Sequence, residues 1–271
     1  MRVVVIAPAK PIDSVVAARV SAFAALAFSQ VNLVIHPQCF ESDGGHFAGS
    51  DARRAAVFVE TANDPAIDAI WFARGGYGSN RILADAMPRL GPAARSKRYL
   101  GYSDMGFVLA ALYARRIGRV AHGPMPIDVN RDGGDATVAR SLAWLTGSNA
   151  GVEPGLGSRP AVAFNLAVLQ ALIGTPWLPD LTDHVLLIEE VSEPMYRVDR
   201  ELFQLAHATQ LAGVAGVRLG AVSDVQANDP PWREPLEVML PRWCGEMGVP
   251  YLGRAEIGHT QANYVVPFGV T

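Results

Sequence analysis

Two stretches of the sequence decide the fold: AIWFARGGYG at residues 69–78 and YLGYSDMG at residues 99–106. Each begins with a short run of β-forming residues and passes directly into loop sequence. The first stretch ends in three glycines within four positions, and the second places a serine just before residues with helical apolar spacing. Strands that run into functional loops and then into helices are typical of a parallel sheet covered on both faces.

The neighbouring segments of the first half repeat this alternation of strand and helix. Since parallel strands need long crossover connections, the regular alternation favours α/β topology. The sequence therefore predicts an N-terminal α/β domain built on a parallel sheet, and its elements can be given by residue range. Strands are predicted at 3–7, 31–36, 69–73 and 99–102, and helices at 14–29, 51–61 and 105–116.

The composition changes after about Thr146. Residues 147–160 are rich in Gly, Ser and Pro and lack a hydrophobic period, which is typical of a linker. We therefore predict an N-terminal domain at 1–147, a linker at 148–160 and a smaller, β-rich C-terminal domain at 161–271. Within the last, strands are predicted at 185–188, 219–222 and 264–267, and helices at 166–173, 199–212 and 235–247.

The bulk composition excludes several classes of protein. The 271 residues are 50% hydrophobic and 18% charged, with a formal net charge of −3. Lysine and arginine form no basic run, so the sequence does not indicate a nucleic-acid partner. The first apolar run stops at Pro8, too early for a signal peptide, and no later stretch is long enough to span a membrane. Two distant cysteines, Cys39 and Cys244, are expected to be reduced thiols. We expect a cytoplasmic protein.

Ser103 is the first candidate for chemistry. A serine between a buried strand and a helix lies on a tight turn that exposes its hydroxyl near unpaired N–H groups, such as that of Asp104. A simple helix cap is the competing interpretation, and the G-x-S-x-G pattern is absent. The loop 74–78 is either a plain turn, a phosphate cradle without the usual Gly-Lys-Ser ending, or a second oxyanion donor through Gly76 or Tyr77.

A serine nucleophile needs a neutral imidazole and an orienting carboxylate. His259, flanked by Gly258, is the candidate base, and the other five histidines are expected to be structural or exposed. His36, Cys39 and His46 lack a fourth ligand at the spacing of a zinc site. Acid candidates are Glu189 and Glu190, which end an apolar strand, with the polar cluster 193–200 just downstream.

The motifs, taken in order, resemble the LD-carboxypeptidase (muramoyltetrapeptide carboxypeptidase) family of serine peptidases, which also includes microcin self-immunity hydrolases. The resemblance implies a class I amidotransferase-like N-terminal domain, a homodimer, and no metal or cofactor. It makes Ser103 the nucleophile, Glu189 the acid and His259 the base. The matching segments are FAGSD at 47–51 with Arg53, RGGYG at 74–78, GYSD at 101–104, HGPM at 122–125, Asn165-Leu166, GTP at 174–176, Glu189, YRVDR at 196–200 and Gly258-His259.

The activity that the resemblance implies is removal of a C-terminal D-alanine from a peptidoglycan tetrapeptide during cell-wall recycling. Backbone N–H groups of Gly76 and Asp104 are the expected oxyanion donors, and the rate is expected to rise with pH near about 6.5, the reference pKa of histidine. A muropeptide is the expected partner, with neither nucleic acid nor membrane. The candidate substrate-binding residues are Arg74, Tyr77, Arg197 and Arg200.

The sequence departs from the family pattern in three places. Residues 163–165 read Ala-Phe-Asn rather than Gly-Gly-Asn, Glu189-Glu190 stands for Glu-Asp, and the chain is shorter around the linker. Two alternatives remain open. One is a microcin-immunity-type hydrolase of peptidyl- or aminoacyl-nucleotide conjugates, with a pocket around Trp177 or the glycine loop. The other is a non-catalytic protein that binds a phosphorylated metabolite.

Overall fold

The chain folds around two β-sheets, which a computed structural model describes for residues 1–270. Ten strands and eight α-helices alternate along the chain, and short 3₁₀ turns connect several of them. The strands are β1 (Arg2–Ile6), β2 (Asn32–Ile35), β3 (Ala69–Phe72), β4 (Arg98–Gly101), β5 (Arg119–His122), β6 (Ala161–Asn165), β7 (Val185–Val191), β8 (Gly216–Ser223), β9 (Tyr251–Arg254) and β10 (Val266–Pro267).

The helices cover the faces of the sheets. Within residues 1–270 none of them combines the length and the apolar composition that a bilayer-crossing helix requires. They are α1 (Ser14–Ala27), α2 (Asp51–Asn63), α3 (Leu83–Ala86), α4 (Gly106–Ala114), α5 (Gly134–Leu145), α6 (Leu166–Leu172), α7 (Met195–His207) and α8 (Leu236–Met247).

The first sheet has the strand order β10-β5-β4-β3-β1-β2, and β1 to β5 are parallel. Trp71 of β3 pairs with Leu100 of β4, and Gly101 pairs with His122 of β5. The carboxyl ends of these three strands therefore lie at one edge, where α/β proteins place their ligand sites. This register brings the loop after β3 next to Ser103.

The second sheet, β6-β7-β8-β9, is also parallel and is covered by α6, α7 and α8. The predicted fold class, a parallel-sheet N-terminal α/β domain followed by a smaller β-rich C-terminal domain, is confirmed. The boundaries predicted for the domains at 1–147 and 161–271 stay a prediction. The predicted linker is irregular but anchored, since the buried carboxylate of Glu153 pairs with Arg218 at 2.7 Å.

The last strand, β10, is paired with the first sheet. The sequence assigns residues 264–267 to the second half, but Val266 and Pro267 pair antiparallel with His122 and Ala121 of β5. An edge position suits Pro267, which has no N–H to donate to a further strand. The end of the chain thus crosses back to the first sheet and carries the preceding loop, with His259, toward the edge that holds Ser103.

Several element bounds differ from the predicted ones, for local reasons. The serine turn, Ser103–Met105, is a 3₁₀ turn before α4, and α7 begins at Met195 rather than Asp199. Pro194 precedes the first turn of α7, where its missing N–H costs nothing. The sequence did not predict β5, β6 or β9, whose apolar runs are short, nor the helices α3 and α5.

The two halves share one hydrophobic core at the level of the site. A methyl group added at Gly106 of α4 would lie 2.9 Å from Val168 Cγ1 and 3.4 Å from Phe164 Cδ1. Glycine at this position lets α4 pack closely against α6 and β6. Because side chains of both halves are buried in this cluster, residues from the second half keep a fixed position relative to Ser103.

Candidate active site

Ser103 has an unusual backbone conformation. Its φ of 58° lies in the left-handed region, which few non-glycine residues adopt and which costs about 1–3 kcal/mol. No side-chain hydrogen bond caps either the serine turn or α4, so the structure does not support a capping role for Ser103. The residue is instead partly exposed in a cavity of about 360 Å³ that Tyr77, Asn165 and Glu190 also line.

The glycine loop after β3 lies directly against Ser103. A Cβ atom added at Gly75 would be 3.0 Å from both Cβ and Oγ of Ser103 and 3.4 Å from the backbone nitrogen of Asp104. Gly76 and Gly78 adopt φ values of 113° and 128°, which glycine reaches without steric cost. The two candidate parts of the site, predicted separately from the sequence, are therefore in contact.

Asp104 ties the glycine loop to the serine turn. Its buried carboxylate accepts the N–H groups of Gly78 at 3.2 Å and Ser79 at 2.9 Å. Burial raises the pKa of Asp104, and these hydrogen bonds act in the opposite direction. In residues 1–270 the N–H groups of Gly76 and Asp104 donate to no acceptor, as oxyanion donors require.

His259 and Glu189 form a hydrogen-bonded pair. Nδ1 of His259 lies 2.8 Å from Oε2 of Glu189, a fully buried carboxylate on β7. Burial lowers the pKa of His259, but the charge and hydrogen bond of Glu189 raise it, and the net pKa lies above 6.5. The imidazole also packs on Tyr102, the residue before Ser103, with ring centroids 4.7 Å apart.

The adjacent carboxylates Glu189 and Glu190 have different partners because successive side chains of a strand point to opposite faces. Glu190 accepts hydrogen bonds from Asn165 Nδ2 at 2.7 Å and from the N–H groups of Ala167 and Val191 at 2.8 and 2.7 Å. It thus holds the N-terminus of α6. Of the two acids that the sequence left open, the structure brings Glu189 to His259.

The four candidate substrate-binding residues lie in different places. Tyr77 is about half exposed and lines the Ser103 cavity. Arg74, at the start of the same loop, is partly buried. Arg197 pairs with Glu193 at 3.3 Å, and the Arg200 guanidinium lies 5.6 Å from the Tyr196 ring centroid. Neither arginine is among the residues lining that cavity.

Asp199 is not the first residue of its helix, contrary to the helix predicted at 199–212. It lies within α7 and accepts hydrogen bonds from Trp243 Nε1 at 2.7 Å and Arg242 Nη2 at 3.0 Å. Trp177 is covered by the guanidinium of Arg115, 4.5 Å from a ring centroid, and is not among the residues lining the Ser103 cavity.

Arg54 is a site residue that the sequence analysis missed. Its guanidinium is fully buried and donates to the carbonyl oxygens of Pro8, Gly49 and Gly78, and it pairs with Asp51. The family resemblance points instead to Arg53, which pairs with Glu41 on the surface. A signal was present, because Arg54 occupies the apolar stripe that Val57, Phe58 and Thr61 continue at helical spacing.

His122 lies beneath the candidate triad. It is fully buried beside Tyr102, with ring centroids 5.4 Å apart, and burial lowers its pKa to about 4. The sequence predicts that this histidine is structural or exposed, and the structure shows that it is buried. Within residues 1–270 no three His, Cys, Asp or Glu side chains are grouped as metal ligands, so His36, Cys39 and His46 form no such cluster.

Family models match most of the chain. Residues 3–123 match the LD-carboxypeptidase N-terminal domain, and residues 160–271 match the LD-carboxypeptidase C-terminal domain. A protein of Synechocystis sp., provisionally named a carboxypeptidase, is 33% identical over 247 residues, which cover 87% of this chain and 79% of that protein. The murein tetrapeptide carboxypeptidase of Pseudomonas aeruginosa is 26% identical over 248 residues, 83% of this chain and 78% of its own.

Solved structures share the fold. A muramoyltetrapeptide carboxypeptidase from Oxalobacter formigenes superposes with a TM-score of 0.81 at 24% identity, covering 99% of this chain and 93% of that one. The microcin C7 self immunity protein MccF superposes with a TM-score of 0.80 at 22% identity, covering 99% and 91%. At this identity both comparisons establish the architecture and leave the substrate to be argued from the site.

Proposed function

The chain belongs to the LD-carboxypeptidase family, and on that premise we propose that it is a serine-type enzyme that removes a C-terminal D-alanine from peptidoglycan tetrapeptides. Membership makes the chain a peptidase, which is a hydrolase. The serine mechanism and the substrate are our proposal. A single arrangement carries it: Ser103, in a left-handed turn, faces the glycine loop, the N–H groups of Gly76 in that loop and of Asp104 in the serine turn are unpaired, and the His259 ring packs on Tyr102 while it pairs with Glu189.

His259 is the proposed general base. Its Nδ1 is engaged by Glu189, which leaves Nε2 as the nitrogen that accepts the proton of the Ser103 hydroxyl. Oγ then attacks the carbonyl carbon before D-alanine. His259 returns the proton to the departing amine, and the acyl group stays on Ser103. Water, deprotonated by the same imidazole, releases the shortened peptide and restores the hydroxyl.

The negative oxygen that forms during attack is held, we propose, by the N–H groups of Gly76 and Asp104. One such donor contributes about 2.7–4 kcal/mol of transition-state stabilisation in well-studied hydrolases. The N–H groups of Gly78 and Ser79 are not assigned this role, since the carboxylate of Asp104 already accepts them. The N–H groups of Gly78 and Ser79 thus hold the loop in place, and the N–H group of Gly76 has the proposed catalytic role.

The same family membership motivates three further proposals. These are a muropeptide as the small-molecule partner, a homodimeric assembly and a cytoplasmic location where recycled wall peptides are processed. Sedimentation analysis of the purified protein tests the assembly, and cell fractionation tests the location. Nothing in the proposed chemistry requires a metal or cofactor, because the imidazole and the backbone N–H groups supply each step.

The decisive experiment measures D-alanine release from purified murein tetrapeptide by the wild type and by Ser103→Ala. We expect release by the wild type and none above background by the variant, with unchanged far-ultraviolet circular dichroism. Equal release by both proteins would remove Ser103 as the nucleophile. If neither acts on the tetrapeptide, cleavage of an aminoacyl-nucleotide conjugate by the wild type alone would select the microcin-immunity-type reaction. A phosphorylated metabolite bound equally by both proteins, with no hydrolysis, would instead indicate a non-catalytic protein.

A further inference from the structure

Lys10 lies beside the glycine loop, at the carboxyl end of β1. Its stem packs so closely on Gly76 that an added Cβ atom there would be 2.7 Å from Lys10 Cδ and 2.9 Å from Cγ. The chain has two lysines, and the other, Lys97, is buried and donates to the carbonyl oxygens of Asp64 and Ile67 at 2.6 and 2.5 Å. Lys10 is partly exposed, so it is the lysine available to a ligand.

Adjacent residues of the loop contact Lys10 and Ser103. Gly75 touches Ser103, and the next residue, Gly76, touches the Lys10 stem. Adjacent Cα atoms are about 3.8 Å apart. In a carboxypeptidase substrate the terminal carboxylate likewise lies one residue beyond the carbonyl that is attacked. A peptide whose scissile carbonyl meets Ser103 therefore has its carboxylate within reach of a lysine at this position.

The charge of Lys10 has no internal partner. Lys10 takes part in none of the ion pairs within residues 1–270, whereas Arg54 and Arg81 both pair with Asp51. Arg74 also lacks an acidic partner and makes one long contact, 3.5 Å, to the carbonyl oxygen of Pro11, the residue after Lys10. Two cations without internal counter-charges thus lie at the loop that faces Ser103, one on its first residue and the other against Gly76.

We propose that Lys10 binds the free α-carboxylate of the amino acid that leaves, and so restricts the enzyme to the chain end of its substrate. The inference rests on the proposed function and adds a specificity residue to it. The stem lies on Gly76, and a side chain at position 76 would displace it. Arg74, whose guanidinium contacts the carbonyl oxygen of Pro11, adds a second positive charge near Lys10.

The first test compares two substrates, the tetrapeptide acid and its C-terminal amide. In Lys10→Met the stem remains and the charge is lost, and we expect kcat/KM for the acid to fall about 10- to 100-fold, as for loss of a charge-assisted hydrogen bond. Turnover of the amide should change less than about twofold. Lys10→Arg should keep most of the preference for the acid, because the charge remains. Arg89→Met, on a surface pair with Asp85, is the matched control and should leave both substrates unchanged.

The result that overturns the proposal is a Lys10→Met variant that loses acid and amide turnover equally, or neither. The first outcome would make Lys10 a support for the loop. The second would move carboxylate recognition to another group.

A second test needs no turnover. In Ser103→Ala, an amine-acylating ester should modify Lys10, while Lys97 is buried, and mass mapping quantifies the modification. We expect the tetrapeptide acid to protect Lys10 and the amide not to protect it. Protection without D-alanine release by the wild type would keep the carboxylate site and reject the proposed reaction. Release by the wild type without selective protection would keep the reaction and reject Lys10.

Discussion

Ser79 donates two hydrogen bonds to Asp104 across the candidate site. The Asp104 carboxylate accepts the Ser79 backbone N–H at 2.9 Å, and the Ser79 hydroxyl donates to the Asp104 backbone carbonyl at 2.6 Å. The residue after Ser103, the proposed nucleophile, is thereby tied to the loop that carries Gly76, the other proposed oxyanion donor. Because an oxyanion hole works only when its donors are held in place beforehand, these two hydrogen bonds position the proposed catalytic groups.

Asp104→Asn should lower kcat while KM changes little. An amide cannot accept both loop N–H groups with both of its side-chain atoms, so one buried donor loses its partner and the loop moves. We expect a fall in kcat of about 10²-fold, near the lower end for removal of an oxyanion donor. Ser79→Ala removes one neutral hydrogen bond, worth about 1 kcal/mol, and should cost less than tenfold. Steady-state kinetics of the two variants would contradict this account if Ser79→Ala were the more damaging change.

Gly75→Ala should reduce activity while the protein stays folded. The new methyl group would lie 3.0 Å from Cβ and Oγ of Ser103, so the serine or the loop must shift. A displacement of this kind costs about 10²-fold when it misplaces reacting groups. Gly245→Ala is the matched control, because a Cβ there meets nothing within 4 Å and α8 should gain stability. Equal activity of the two variants would show that Ser103 does not need its present position.

The pH profile of kcat/KM should rise with a midpoint above 6.5. Burial lowers the pKa of His259, but Glu189 outweighs it, and the net pKa is raised. His259, the proposed base, acts when neutral, so its raised pKa moves the rise in rate above about 6.5, the pH expected from the sequence. Glu189→Gln removes the raising charge, and its residual activity should rise at lower pH than that of the wild type. A midpoint that does not move in this variant would separate Glu189 from the base.

Arg54→Met should destabilise the protein far more than Arg53→Met, although the residues are adjacent. Arg54 is buried and donates to three backbone carbonyls, so its removal leaves buried acceptors unpaired and should cost about 3–5 kcal/mol. Arg53 pairs with Glu41 at the surface, where a salt bridge contributes about 0–1 kcal/mol. Denaturant unfolding of both variants measures the difference. Similar midpoints would mean that Arg54 does not hold the glycine loop.

Much of the first half could be predicted from the sequence. The elements at 69–73 and 99–102 and the helix after Ser103 follow from local patterns, and the structure places them within a few residues. Short strands such as β5 and β6 carry no pattern of their own, because four or five apolar residues fit a buried helix as well. The sheet to which β10 belongs depends on its partner, His122, and nothing near residue 266 in the chain contains that information.

The sequence by itself determined the fold class, the turn that holds Ser103, the glycine loop and the set of candidate acids and bases. These depend on alternation, on glycine spacing and on strand ends, which are properties of neighbouring residues. Only the tertiary structure decided that Glu189 rather than Glu190 meets His259, that Arg54 supports the loop and that Lys10 lies beside Gly76. Each of those contacts joins distant parts of the chain, and its geometry arises when the sheets pack into a shared core.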